Sequence, residues 1–166
     1  NEAGVELKKL AQYFYPFTGM GRRFQKVCEF NGITVYDDYA HHPTEIKAAL
    51  QAAASKFGKE NVVAVFQPHR FTRLQSLWKE FLTAFENAGR VIVTDVYAAS
   101  EDSIEGINGE NFAAELSCEY VSGNMQDVAR KLMPSLKKGN VVIGLGAGTI
   151  TNLGKELEKA GCVCGY

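Results

Sequence analysis

The sequence has almost no net charge and no long apolar run, and each absence excludes a class of protein. Its 166 residues include 18 lysines and arginines against 19 aspartates and glutamates, a formal net charge of −1. A chain without a basic stretch lacks the positive field with which proteins bind nucleic acids. No apolar stretch approaches the roughly 20 residues that cross a bilayer, and the charged N-terminus is unlike a signal peptide. We therefore expect a cytoplasmic protein that contacts neither nucleic acid nor membrane.

Cysteine is also sparse, and its spacing is uninformative for metal binding. The four cysteines, at positions 28, 118, 162 and 164, form no CxxC pair, so we expect reduced structural thiols rather than a zinc site or a disulfide framework. With 46% hydrophobic and 22% charged residues, the composition is typical of one globular domain with its own core.

Short apolar runs indicate buried parallel strands at residues 62–66, 91–96 and 141–145. Apolar residues at helical spacing predict helices between them, one beginning at Pro43 and ending before Gly58, and one over residues 74–85 ending before Gly89. Weaker segments at 110–116 and 118–121 predict a further helix and strand, and Asn124 is suited to begin another helix.

The beginning of the chain differs from this pattern. Asn31-Gly32 lies between two strand-like segments and predicts a β-hairpin, while residues 2–15 have the pattern of an amphipathic helix. The predicted fold is therefore a Rossmann-like, doubly wound α/β sheet that is mostly parallel, with an antiparallel N-terminal hairpin and helices on both faces.

Polar clusters follow four of the predicted strands, at the edge where doubly wound sheets bind ligands. They are residues 37–43, 67–73, 97–101 and 144–148. The last is glycine-rich, but it lies too near the end of the chain for a dinucleotide fingerprint, which needs an acidic residue about 20 positions further on. It is interpreted either as a tight turn or as an anion site. No GxxxxGK[ST] phosphate loop occurs.

Two clusters carry candidate chemistry. Asp37-Asp38 with His41-His42 could contribute to a metal site, accept hydrogen bonds from ribose hydroxyls, or form an ordinary surface loop. His69, Arg70 and Arg73 stand where a helix begins, and the positive end of a helix disfavours cations. A bound carboxylate or phosphate resolves that conflict, since arginine binds such anions through two parallel hydrogen bonds; solvated arginines are the alternative.

Five ordered motifs, GMGRRFQ, DDYAHHPTE, FQPHRFTR, VYAASE and GAGTI, resemble the C-terminal domain of the Mur ligases over residues 15–160. The resemblance is strongest to the member that joins L-alanine to UDP-N-acetylmuramate in peptidoglycan synthesis, and a sister ligase that recycles the tripeptide is the alternative. It implies an ATP-dependent, amide-forming ligase acting through an acyl phosphate. Residues 1–15 would be the tail of the preceding ATP-binding domain, 16–22 a linker, and 23–166 the C-terminal domain.

The resemblance also implies roles for individual residues. Arg23 and Asp38 would reach the ATP, and His41, the catalytic candidate, would lie near the phosphates and the incoming amino acid. The residues implied to line the alanine pocket are Tyr39, His69, Arg70, Arg73 and Ala147. ATP and Mg²⁺ would act in the full-length enzyme, whose N-terminal and central domains are the expected partners, and this chain alone would hold no metal.

Two hypotheses from other functional classes remain open at this point. A stand-alone nucleotide- or anion-binding module would use the same edge of the sheet without chemistry. A metal-dependent hydrolase would use Asp38, His41 and His69.

Overall fold

The computed structural model describes residues 21–163, with side chains for residues 21–161. The predicted helix over 2–15 and nearly all of the predicted linker lie outside these residues. The described residues form six strands: β1 Gln25–Phe30, β2 Ile33–Asp38, β3 Val62–Phe66, β4 Arg90–Thr94, β5 Glu119–Val121 and β6 Val141–Leu145. Within the same range there are six α-helices: α1 Pro43–Phe57, α2 Phe71–Ser76, α3 Trp78–Leu82, α4 Gly109–Leu116, α5 Met125–Leu132 and α6 Leu153–Val163.

The strands form one mixed sheet in the order β1-β2-β6-β3-β4-β5. β1 pairs antiparallel with β2, and all other pairs are parallel. The hairpin turns at Asn31 and Gly32, whose φ angles of 49° and 74° match the positive-φ turn that an Asn-Gly pair favours. The predicted mixed α/β sheet is confirmed.

Helices cover both faces of the sheet, as predicted. On one face the core includes Ile46 of α1, Phe81 of α3 and Phe112 of α4, and on the other it includes Val128 of α5 and Leu157 of α6. The central strands β3 and β6 are buried along their whole length, which explains their continuous apolar sequences. Within residues 21–163 no helix is long and apolar enough to cross a membrane.

The predicted single helix over 74–85 is wrong. The chain forms α2 and α3, separated at Leu77, whose φ of −116° and ψ of 19° leave the helical region. α3 ends at Leu82, and Gly89 does not cap it, because the Gly89 N–H donates to the Val62 carbonyl of β3 instead. The apolar spacing of the sequence reflects packing on the sheet, which two short helices satisfy as well as one long helix does.

Capping residues define two other helices as predicted. α1 begins with Pro43 and ends before Gly58, whose φ of 83° suits glycine. The Asn124 side chain accepts the N–H groups of Gln126 and Asp127 at the start of α5, the arrangement of an N-cap.

Candidate functional site

The strand order brings the four polar segments to one edge of the sheet. β6 lies between β2 and β3, so the segment after β6 contacts those after both neighbours. The Gly146 N–H donates to the Asp38 carbonyl at 3.1 Å, and the Gln67 N–H donates to the Leu145 carbonyl at 3.0 Å. A bridge between His69 and Tyr97 joins the segments after β3 and β4. The predicted convergence is therefore observed.

A pocket of about 330 Å³ opens beside the end of β2. Arg23 and Asp38, the two residues expected to reach ATP, both line it. The complete lining is Arg23, Phe24, Asp38, Tyr39, Ala40, Glu45, Ala48 and Ala49. Its volume is at the lower end of the range for small-molecule sites, and its mixture of apolar wall and few polar groups is typical of them.

Asp38 is built into the turn that follows β2. Its carboxylate accepts the N–H groups of Phe24 and Ala40, each at 2.8 Å, and only 9% of the residue is exposed. Burial raises the pKa of the Asp38 carboxyl, and the two backbone N–H groups oppose that rise. Each carboxylate oxygen has a second lone pair, so the group can still accept a hydroxyl donor from the pocket.

His41 and Tyr39 flank the same turn. The two rings meet edge to face with centroids 5.0 Å apart, and His41 Nδ1 lies 2.8 Å from the Tyr39 carbonyl oxygen. A carbonyl oxygen only accepts, so Nδ1 carries the proton in this contact. In the neutral ring, Nε2 is then left with the lone pair and can accept a hydrogen bond.

His69 has the opposite tautomer in its neutral form. The Arg73 guanidinium lies 3.0 Å from His69 Nδ1, and because a guanidinium only donates, Nδ1 accepts and Nε2 carries the proton. Burial, together with the positive charge of Arg73, lowers the pKa of His69. The ring stacks on Tyr97 with centroids 5.4 Å apart and lies 6.0 Å from His41.

Arg70 and Arg73 have different partners although they are one turn apart. Arg73 folds back onto His69, whose carbonyl it also contacts at 3.2 Å. Arg70, which precedes α2 with a φ of 72°, has a half-exposed side chain 3.8 Å from Glu101. Glu101 in turn accepts the Thr72 N–H and hydroxyl at 3.1 and 2.7 Å. The expected arginine pair is therefore two separately held cations.

The glycine-rich segment after β6 is a tight turn. A Cβ on Gly146 would lie 2.7 Å from the Gln67 carbonyl oxygen, and one on Gly148 would lie 2.5 Å from Tyr97 Cγ. The Gln67 side chain ties the turn to β3, because it accepts the Ile150 N–H and donates to the Thr149 hydroxyl, both at 2.9 Å. Ala147 is half-buried within this turn.

Arg22 is the site residue that sequence reasoning missed. Its guanidinium contacts Asp37 Oδ2 at 2.9 Å and the Gly146 carbonyl at 2.8 Å, and it lies over the Tyr39 ring at 5.0 Å. The GMGRRFQ motif contains Arg22, but nothing in the sequence indicates which of two adjacent arginines points inward. Tyr97 and Glu101 were likewise noted only as members of a polar segment.

The structure thus separates the predicted site residues into two groups. Arg23 and Asp38 line the pocket beside β2, and the alanine candidates after β3 gather around His69, with His41 between the two groups. Among residues 21–161, no three His, Cys, Asp or Glu side chains are grouped so that they could hold a metal ion.

Comparison with known proteins gives consistent matches. Residues 22–148 match the family described as Mur ligase, glutamate ligase domain. A Caldicellulosiruptor bescii protein named UDP-N-acetylmuramate–L-alanine ligase is 46% identical over 96% of this chain and 36% of its own length. A Bradyrhizobium diazoefficiens protein of the same name is 47% identical, over 90% of this chain and 33% of its own length.

Solved structures agree with the sequence matches. A UDP-N-acetylmuramate-alanine ligase from Thermotoga maritima has a TM-score of 0.74 at 28% identity, covering 95% of this chain and 34% of that protein. A domain from a Haemophilus ducreyi protein described as a putative UDP-N-acetylmuramate:L-alanyl-γ-D-glutamyl-diaminopimelate ligase is covered over 98% of its length, with a TM-score of 0.63 at 23% identity, and shows the fold alone. The chain spans about a third of the length of the curated relatives it matches.

Proposed function

The chain belongs to the Mur ligase family, matching its C-terminal, glutamate ligase domain, and from this membership we propose that it is the C-terminal domain of an ATP-dependent ligase that joins L-alanine to UDP-N-acetylmuramate. In that reaction ATP phosphorylates the carboxylate of UDP-N-acetylmuramate, the amine of L-alanine attacks the acyl phosphate, and ADP and phosphate leave. The observation that supports the proposal is that the cluster of His69, Arg70 and Arg73 lies at the same edge of the sheet as the pocket lined by Arg23 and Asp38.

We assign the pocket beside β2 to ATP. Arg23 is exposed at its mouth and supplies a positive charge for phosphate oxygens. Asp38 supplies acceptor lone pairs for the ribose hydroxyls, on a carboxylate that Phe24 and Ala40 hold in place. The apolar side of the pocket, formed by Ala48 and Ala49 of α1, suits a base.

We assign the cluster after β3 to L-alanine. Arg70 has a half-exposed guanidinium whose contact with Glu101 is 3.8 Å long, so it can also meet a substrate carboxylate, and Arg73 fixes the ring of His69 while adding a second positive charge. Tyr39 and Ala147 complete the lining that the family resemblance implies. A neutral His69 presents Nε2–H as a donor, which favours an anionic group over an ammonium group on that side.

His41 stands between the two assigned regions. Its Nδ1–H is held by the Tyr39 carbonyl, so Nε2 is available as an acceptor for the amine of the incoming alanine. This orients the amine toward the acyl phosphate without requiring a charged imidazole, and correct orientation of a nucleophile lowers its barrier substantially. His41 is therefore the residue of this chain that we place nearest to the reacting atoms.

The remaining parts of the reaction we assign to the N-terminal and central domains. No GxxxxGK[ST] phosphate loop occurs in this sequence, and the family resemblance implies that the site of UDP-N-acetylmuramate also lies in those domains. Magnesium prefers carboxylate and phosphate oxygens, and residues 21–161 contain no group of three His, Cys, Asp or Glu side chains that could hold it, so we assign the magnesium ligands to those domains as well. The domain acts as a lid that closes over ATP and excludes water.

The test uses the full-length enzyme and this chain side by side. We expect the full-length enzyme to release phosphate from ATP only when both UDP-N-acetylmuramate and L-alanine are present. This chain alone should release none, because phosphoryl transfer needs a phosphate loop and a magnesium site. Activity with the tripeptide in place of alanine would identify the recycling ligase instead. Micromolar ATP binding by this chain alone, with no ligase activity in the full-length protein, would support a binding module.

A further inference from the structure

Arg22 connects three segments of the candidate site through one side chain. Its Nε and Nη2 contact the two carboxylate oxygens of Asp37 at 2.9 and 3.4 Å, and Nη2 also donates to the Gly146 carbonyl. The guanidinium lies over the Tyr39 ring, and the Arg22 carbonyl accepts the Tyr39 N–H. Asp37 additionally accepts the Thr151 hydroxyl at 2.9 Å.

These contacts stabilise a backbone conformation of Arg22 that would otherwise be unfavourable. Arg22 has a φ of 63°, in the left-handed region that residues with a Cβ rarely occupy. Such a conformation persists only where surrounding interactions determine it, and it is found disproportionately at functional sites. The Asp37 carboxylate is only 8% exposed, so its pairing with Arg22 is shielded from solvent and geometrically constrained.

We infer that Arg22 is a positioning residue for the amino-acid substrate: it holds Tyr39 and the Gly146–Gly148 turn in the arrangement that receives the acceptor amino acid. The inference rests on the proposed function. It goes beyond that function because Arg22 itself lies behind the site, where its side chain is taken up by Asp37, Gly146 and Tyr39.

The contacts of Arg22 point to the amino-acid side rather than to the ATP side. The glycine turn, which Arg22 holds through the Gly146 carbonyl, is part of the assigned alanine region, and Tyr39 stands between that region and the pocket assigned to ATP, which it also lines. Asp38, which we assign to ATP, is fixed instead by the N–H groups of Phe24 and Ala40, with no contribution from the Arg22 side chain. Loss of the Arg22 guanidinium should therefore change the KM for L-alanine more than the KM for ATP.

The experiment is steady-state kinetics of R22K in the full-length enzyme. Lysine keeps the charge but cannot contact Asp37 and Gly146 together in a fixed plane. We expect the KM for L-alanine to rise about tenfold, the range for losing hydrogen bonds to a charged group, with the KM for ATP changed less than about twofold. D37N removes the carboxylate that the Arg22 guanidinium contacts and should raise the KM for L-alanine by a similar factor. Because both substitutions remove the same contact, the double variant should have a KM no higher than that of either single variant.

A matched control and a milder variant complete the design. Arg90 makes a comparable two-pronged contact with Glu119 at 2.6 and 2.7 Å, on the opposite edge of the sheet, so R90K should leave both KM values unchanged. T151V removes only the hydroxyl that contacts Asp37 and should raise the KM for alanine by a smaller factor. T151V keeps the test decisive if the other two variants fold poorly.

The outcomes separate this inference from the proposed function. A wild-type enzyme without alanine-dependent activity would contradict the proposed function itself. An active wild type whose R22K and T151V variants keep the wild-type KM for alanine would overturn the positioning role. The inference also fails if R22K lowers kcat and raises the KM values for ATP and alanine equally, since that is the signature of general structural damage.

Discussion

The replacement of Gly148 by alanine is the sharpest steric test of the site. Gly148 has a φ of −99°, which any residue can adopt, so the substitution introduces no backbone strain of its own. An added Cβ would lie 2.5 Å from Tyr97 Cγ, 2.8 Å from Tyr97 Cβ and 2.6 Å from Gln67 Oε1. Contacts under 3.0 Å do not occur between real Cβ atoms and their neighbours, so the surrounding atoms must move.

Neither neighbour can move freely. Rotation of the Tyr97 ring does not relieve the contact with Tyr97 Cβ, and the Tyr97 backbone is held by hydrogen bonds to Pro68 and Arg70 at 2.8 and 2.9 Å. Gln67 Oε1 is the acceptor for the Ile150 N–H. Overpacking of this kind costs about 1–3 kcal/mol, which corresponds to a fall in Tm of roughly 2–12 °C for a chain of this size.

Thermal unfolding of this chain and alanine kinetics of the full-length enzyme measure the two consequences of G148A. We expect the lower Tm together with a higher KM for alanine, since a displaced Tyr97 carries the stacked His69 ring with it. Gly21→Ala is the control, because its Cβ would have only one neighbour, the Gln25 Oε1 at 3.9 Å. If G148A matched G21A in both measurements, the close packing of Tyr97 against the turn would be refuted.

Three further predictions concern charged groups of the site. Asp38→Asn should raise the KM for ATP about tenfold or more in the full-length enzyme, because a carboxylate acceptor is worth about 1.5–3 kcal/mol; an unchanged KM for ATP with a raised KM for alanine would reassign Asp38. Arg70→Lys should lower kcat/KM for alanine at least about tenfold and leave ATP binding nearly intact, because lysine lacks the planar fork; wild-type alanine kinetics would remove Arg70 from the pocket. His69 has a pKa lowered below 6.5 by burial and by Arg73, so the unfolded chain binds more protons and stability should fall as the pH drops below that value. Unfolding midpoints measured from about pH 8 to about pH 5 should show a shallower decline for His69→Gln, and identical declines would argue against a half-buried, neutral imidazole at position 69.

Local chemistry in the sequence was sufficient for most of the fold. The runs at 62–66 and 141–145 were predicted to the residue as strands, because strands buried on both faces must be apolar throughout. Pro43, Gly58, Asn124 and the Asn31-Gly32 pair defined helix ends and the hairpin, since each satisfies backbone groups or φ angles within a few residues of itself.

The sequence was less informative where packing competes with local pattern. Apolar spacing from Leu74 to Phe85 is compatible with one helix, yet the chain bends at Leu77 and α3 ends at Leu82. Helical periodicity reports which residues face the core, and it does not report whether the axis is continuous. Arg70 and Arg73 both lie before this bend, and they have separate partners because Arg70 meets Glu101 from the segment after β4 while Arg73 turns back to His69.

The candidate site was likewise predictable from the sequence only in part. The order of strands and polar segments was enough to predict that Asp38, His41 and His69 share one edge of the sheet, because the carboxyl ends of parallel strands meet there. The contacts of the Arg22 side chain were decided only by the tertiary structure, since Arg22 meets Gly146 across 124 positions of sequence. The two histidine tautomers depend on partners close in sequence, a carbonyl for His41 and a guanidinium for His69, but the sequence does not show that these contacts form. Local sequence determines backbone conformation and burial, but hydrogen-bond partners distant in sequence exist only once the sheet has formed.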